Sequence, residues 1–122
     1  MIIAVDFDGT IVEDKFPEIG EEKRGAFQTL KDLQAAGHEL ILWTCRNNTD
    51  PSLNGRLVLE EAAVFCEQHG IEFNAINCNV GSIGFNPEPK IYYDILIDDR
   101  NFDSQVCWLR VRKHFKLYPY NN

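Results

Sequence analysis

Asp6 and Asp8 stand one residue apart at the end of an unbroken apolar run, Met1-Ile2-Ile3-Ala4-Val5, and Gly9 and Thr10 follow at once. Carboxylates can serve as nucleophiles or hold a cation. The run before them is too short for a helix and predicts a strand buried on both faces. In an open parallel sheet, ligands bind beyond the carboxyl ends of the strands. Asp8-Gly9 is also a hairpin-turn signal, so the chemical reading depends on what the rest of the chain brings to the same place.

Two later runs end in the same manner. Leu40-Ile41-Leu42-Trp43 leads into Thr44-Cys45-Arg46, and Ile95-Leu96-Ile97 leads into Asp98-Asp99-Arg100. If the three runs lie parallel in one sheet, Asp6, Asp8, Thr44, Asp98 and Asp99 meet on one rim. Four acids there repel one another and stay ionised together when a cation lies among them. The candidate ligands are all oxygens, with no His or Cys cluster beside them, which favours Mg²⁺ over zinc. Mg²⁺ commonly takes one or two carboxylates plus a substrate phosphate. Such a rim is built for a phosphoryl group. Thr44 offers it a hydroxyl and a backbone N–H, Lys90 a point charge, and Arg46 a further contact.

The elements that must position these residues follow in order. Ile11 to Gly20 reads as a loop or short hairpin over the rim. Glu21 to Ala36 reads as a helix with acids in its first turn, Gly25 inside it and Gly37 as its cap. Glu39 to Trp43 is a strand, Asn47 to Asn54 a loop, and Gly55 to His69 a second helix ended by Gly70. Ile71 to Ile76 alternates in part, as an edge strand does. Asn77 to Pro89 is a loop, and its asparagines, like Asn47 and Asn48, serve turns. Ile95 to Ile97 is a strand, Ser104 to Lys116 reads as a helix, and 118–122 as a loose tail. This order predicts one α/β domain spanning 1–122, a three-layer Rossmann-like fold around a mostly parallel sheet.

Composition narrows the function classes. The 122 residues carry a net charge of −7, which argues against broad nucleic-acid binding. Residues 100–122 hold five Lys/Arg against one acid, so the first 99 carry −11 and the remainder +4. The cluster Arg110, Arg112, Lys113, His114, Lys116 reads as the solvated face of a helix. No stretch is long and apolar enough to span a membrane, and no basic region precedes the first apolar run, so a cytoplasmic protein is expected. Cys45, Cys66, Cys78 and Cys107 lack zinc-ligand spacing and read as reduced, mostly buried thiols. His38, His69 and His114 read as structural, and Trp43 and Trp108 as core.

The motifs together resemble those of the haloacid dehalogenase-like (HAD) superfamily, in its phosphatase branch. Asp6-Phe7-Asp8-Gly9-Thr10 is similar to its first motif, Thr44 to its second, Lys90 to its third and Asp98-Asp99 to its fourth. The resemblance spans Ile2 to Arg100. It implies a Mg²⁺-dependent phosphomonoester hydrolase that works through an aspartyl-phosphate. Asp6 would be nucleophile and metal ligand. Asp8 would be general acid, then base, and would lend its backbone carbonyl to the metal. Thr44 would hold the phosphoryl group, and Lys90 would stabilise it. Asp99 would bind the metal directly, with Asp98 beside it or bound through water.

The gaps after the first motif and between Thr44 and Lys90 leave no room for a cap domain, so the resemblance is to a capless member. The site would be open, with a second copy of the chain a candidate to complete it. Two further readings stay in view: a phosphatase of nucleic-acid ends, and a phosphoryl-binding module without turnover. A signalling receiver is disfavoured, because the spaced acids lie on the first strand and the third strand carries no acceptor.

Overall fold

A computed structural model describes residues 1–85, 90–104 and 106–119. Its centre is a four-stranded sheet in the order β5-β4-β1-β6, formed by β1 (Ile2–Val5), β4 (Glu39–Leu42), β5 (Ala75–Ile76) and β6 (Ile95–Ile97). Every pairing is parallel. In register, Val5 faces Leu42 on one side and Ile97 on the other. The three apolar runs are therefore neighbours, and their ends reach one rim together.

Successive residues of β1 and β4 feed two cores, as the period of a strand requires. Ile3, Val5, Leu40 and Leu42 pack with all three helices: α1 (Ala26–Ala35), α2 (Val58–Gln68) and α3 (Trp108–His114). Ala4 and Ile41 face the other way, against Val80, Ile91, Ile83 and Tyr93. Among its described members that second core contains no helical residue. Connectivity gives the reason. The helices return the chain in one direction, from β1 through β4 to β5. The connection from β5 to β6 must cross back over the sheet, and its described residues Val80, Ile83, Ile91 and Tyr93 lie on the opposite face, as a right-handed crossover requires. The expected third layer is irregular chain.

Several element bounds differ from those the sequence predicts. Glu21 and Glu22 belong to a β-hairpin, β2 (Val12–Lys15) with β3 (Glu18–Glu22). Pairing of Val12 with Glu22 draws both acids out of the helix, and α1 begins after Gly25, with no acid in its first turn. Both expected cap glycines do end helices. Gly37 N–H donates to Gln34 and His38 N–H to Leu33; Gly70 N–H donates to Glu67 and Ile71 N–H to Cys66. β5 is shorter than predicted because the Asn74 side chain, not a strand carbonyl, takes the Leu40 N–H at 2.8 Å. The loop between β4 and α2 contains a 3₁₀ turn, Pro51–Leu53.

Arg112 is a correction to the solvated basic face. It is buried, donates to Thr29 Oγ1, and pairs with Asp32 at 2.9 Å, fastening α3 to α1. Cys45, Cys78 and Cys107 are exposed, against the expectation of buried thiols. Cys66 is buried, and burial pushes its thiol up to about 12. The end of the loose tail, 120–122, lies outside the described residues. Among the described residues, no helix is long and apolar enough to cross a membrane.

Candidate active site

β1 and β6 deliver the acids. The ladder continues one step past β1, with Asp6 N–H donating to Ile97 carbonyl at 3.0 Å. That bond places Asp6 beside Asp98 and Asp99. One carboxylate oxygen from each of the three lies within 4.8 Å of the others. The chain then turns sharply, and the Phe7 carbonyl accepts from Thr10, Ile11 and Val12. Gly9 is required in that turn. Its φ is +84°, and a Cβ there would run into the Asp99 carboxylate.

Thr10 ties the cluster together, a role its sequence context does not announce. Its hydroxyl donates to Asp6 at 3.1 Å and accepts from the Asp99 N–H at 3.0 Å. Its carbonyl accepts from the Trp108 indole at 2.9 Å, so α3 supports the turn from behind. Asp99 Oδ1 is buried without a hydrogen-bond partner among the described residues. Burial, then the charge of Asp98, pushes the Asp6 carboxyl from 3.8 up to about 7. Burial also raises Asp98.

Asp8 sits apart from this cluster. Both of its oxygens accept from Arg46, at 2.7 Å from Nε and 2.8 Å from Nη2. The same guanidinium donates to the Glu18 and Val58 carbonyls and lies over the Phe7 and Phe16 rings at 5.2 and 5.1 Å. Arg46 is therefore a buried clasp joining the rim, the hairpin and the start of α2, and its charge is already engaged within the chain.

Thr44 lines the same cavity as Asp6, Asp8 and Asp98. Its backbone N–H, expected to face a phosphoryl group, donates instead to Asn77 Oδ1 at 2.8 Å. Its hydroxyl oxygen accepts from the Arg46 N–H at 3.1 Å, leaving the hydroxyl hydrogen to donate elsewhere. The other rim asparagines serve the backbone, as expected. Asn48, for one, accepts from the Leu59 and Glu60 N–H groups at the start of α2. Lys90 is exposed and is not among the residues that line the cavity. Arg100 is among them, and its guanidinium has no hydrogen-bond or ion-pair partner among the described residues.

A scan against protein-family models finds no match to the chain, and a search of curated proteins finds none. Among solved structures, that of a conserved protein coded by a locus from Bacteroides thetaiotaomicron is similar. The TM-score is 0.80 and the identity 42%, over 95% of this chain and 89% of that one. Likeness at that level across nearly the full length of both makes the chain a member of the same family as this conserved Bacteroides thetaiotaomicron protein.

Proposed function

We propose that the chain is a phosphomonoester hydrolase of the haloacid dehalogenase-like kind, working through an aspartyl-phosphate on Asp6. The observation that carries this reading is the Asp6, Asp98 and Asp99 cluster, with a buried carboxylate oxygen of Asp99 left unpartnered. Three mutually repelling carboxylates held this close fit a divalent cation, and an all-oxygen donor set fits Mg²⁺. Asp6, Asp98 and Asp99 would hold it. When bound, it supplies positive charge against the phosphoryl oxygens.

The chain's own residues account for the remaining steps. An Asp6 oxygen attacks phosphorus, and the P–O ester bond breaks with its electron pair on the leaving oxygen. Asp8 gives that oxygen a proton. Water then attacks the phosphorus of the aspartyl-phosphate and gives a proton back to Asp8, releasing orthophosphate and restoring Asp6. The cycle requires Asp8 to start protonated, with one of its two Arg46 contacts opened so that the protonated oxygen faces the leaving group, and water returns that proton in the second half. The Thr44 hydroxyl donates to the phosphoryl group, and Arg100 is the cation at the cavity that Lys90 does not supply.

A second reading is a phosphoryl-binding module without turnover, favoured by the engagement of both Asp8 oxygens with Arg46. Hydrolysis of an aryl phosphate with and without Mg²⁺, in the native chain and in Asp6→Asn, separates the two. Mg²⁺-dependent turnover that vanishes in Asp6→Asn is expected. Mg²⁺-dependent binding of beryllofluoride without turnover of any phosphoester would establish the second reading, and failure of both would sink the two together.

A further inference from the structure

The cavity above the acids measures about 590 Å³, within the range of small-molecule sites. Its lining also includes groups for which the hydrolysis has no use: Asp14, Phe16, Trp43 and Asp50. Phe16 stands between the strands of the hairpin, 46% exposed, and belongs to neither hydrophobic core. The Arg46 guanidinium lies over one face of its ring. Trp43 follows β4 and is half-buried, packed on one side against the second core. Its counterpart Trp108 is wholly core, so the two tryptophans do different work. Two aromatic groups thus border the space a leaving group would fill.

The acids there are hydrogen-bond acceptors with capacity to spare. Asp14 uses Oδ1 for the Phe16 N–H, and Asp50 uses Oδ1 for Ser52. The second oxygen of each has no partner among the described residues. Aromatic faces bind flat rings by stacking, and a carboxylate accepts from ring N–H groups. The same acids oppose any additional phosphate, as does the net charge of −7.

We propose that the cavity takes a phosphomonoester whose leaving group carries a flat ring bearing N–H donors, a free nucleoside monophosphate. The ring lies against Phe16 and Trp43, with its N–H groups directed to Asp14 and Asp50. This rests on the phosphatase reading and narrows its substrate. A polynucleotide end is excluded because its next phosphate would meet Asp14 and Asp50. A simple sugar phosphate leaves both aromatic groups uncovered.

The test compares kcat/KM for adenosine and cytidine 5′-monophosphates with ribose 5-phosphate, phosphocholine and a 5′-phosphorylated oligonucleotide. The mononucleotides should exceed ribose 5-phosphate by about tenfold or more, and Phe16→Ala or Trp43→Ala should bring that ratio close to one. Equal rates for mononucleotide and ribose 5-phosphate would overturn the inference, as would preference for phosphocholine or the oligonucleotide. Either result leaves the phosphatase reading standing.

A second arm needs no turnover. In Asp8→Asn, which keeps the Mg²⁺ cluster and turns over slowly, adenosine 5′-monophosphate with Mg²⁺ should quench tryptophan emission and ribose 5-phosphate should not. In Asp8→Asn combined with Trp43→Phe, where Trp108 is the remaining tryptophan, the quench should disappear. A quench that persists there, or none at the start, refutes the ring contact. If no phosphoester turns over but the quench behaves as expected, the phosphatase reading fails and the ring contact survives.

Discussion

Asp6 and Asp8 are separated by Phe7 alone and have opposite surroundings. Asp6 faces two further acids and is held towards its protonated form by burial and by Asp98. Asp8 faces a buried guanidinium that takes both of its oxygens. The turn at Gly9 and the clasp of Arg46 separate two carboxylates that the chain delivers side by side. One becomes part of a site short of positive charge, and the other part of a site where charge is balanced. Under the proposed function this difference would divide their roles: the Asp6 cluster would hold the cation, while the Asp8 side chain is already matched by Arg46.

The largest effect should come from removing each charge in turn. Asp6→Asn should lower turnover on the order of 10⁴-fold or more and abolish the rise in melting temperature on adding Mg²⁺. Asp8→Asn should cost roughly 10²–10⁴-fold while keeping the Mg²⁺ response, read by titration against the same melting curve. Loss of the Mg²⁺ response in both would erase the contrast. Next is the clasp. Arg46→Met strands the Asp8 charge and should cost about 3–5 kcal/mol in denaturant unfolding. A change too small to resolve would mean that the pair does not hold the hairpin and α2 to the rim.

A pH profile sharpens the Asp6 side. Its folded value of about 7 lies above the ordinary 3.8, so the folded chain holds that proton more tightly. The resulting stability is complete below 3.8 and is lost as pH rises through about 7. In chelator, the melting temperature should fall across this window. Asp6→Asn should flatten the fall, and Mg²⁺ should restore stability at the alkaline end. A flat profile in the native chain would contradict the crowded acids. The smallest effect belongs to Lys90. Lys90→Ala should change aryl phosphate turnover by less than about twofold, whereas Arg100→Ala should lower it roughly tenfold.

The sequence disclosed the rim because its signal is local: an apolar run that passes directly into polar residues. Three such runs imply adjacent parallel strands, and the register of β1 with β4 and β6 agrees. What stayed hidden was set by distant partners. Arg46 is free for substrate when its neighbours in sequence are considered, yet its guanidinium is bound by Asp8, 38 residues away, and by the Glu18 carbonyl, 28 residues away. Thr44 loses its N–H to Asn77, 33 residues on. Glu21 and Glu22 look like a helix's first turn until hairpin pairing withdraws them. Lys90 matches a motif by order along the chain, and order does not fix where a loop residue points.

The Thr10 hydroxyl meets Asp99 across 89 residues, and its carbonyl meets Trp108 across 98. During synthesis, β1 leaves the ribosome long before its partner β6 exists. A chain arrested ahead of residue 95 carries Asp6 and Asp8 but no carboxylate cluster. The mutual repulsion of the acids is therefore a late event in folding, arising when β6 docks and loop closure has already occurred. If a cation binds the cluster, it would act on a late step of assembly as well as on the finished site.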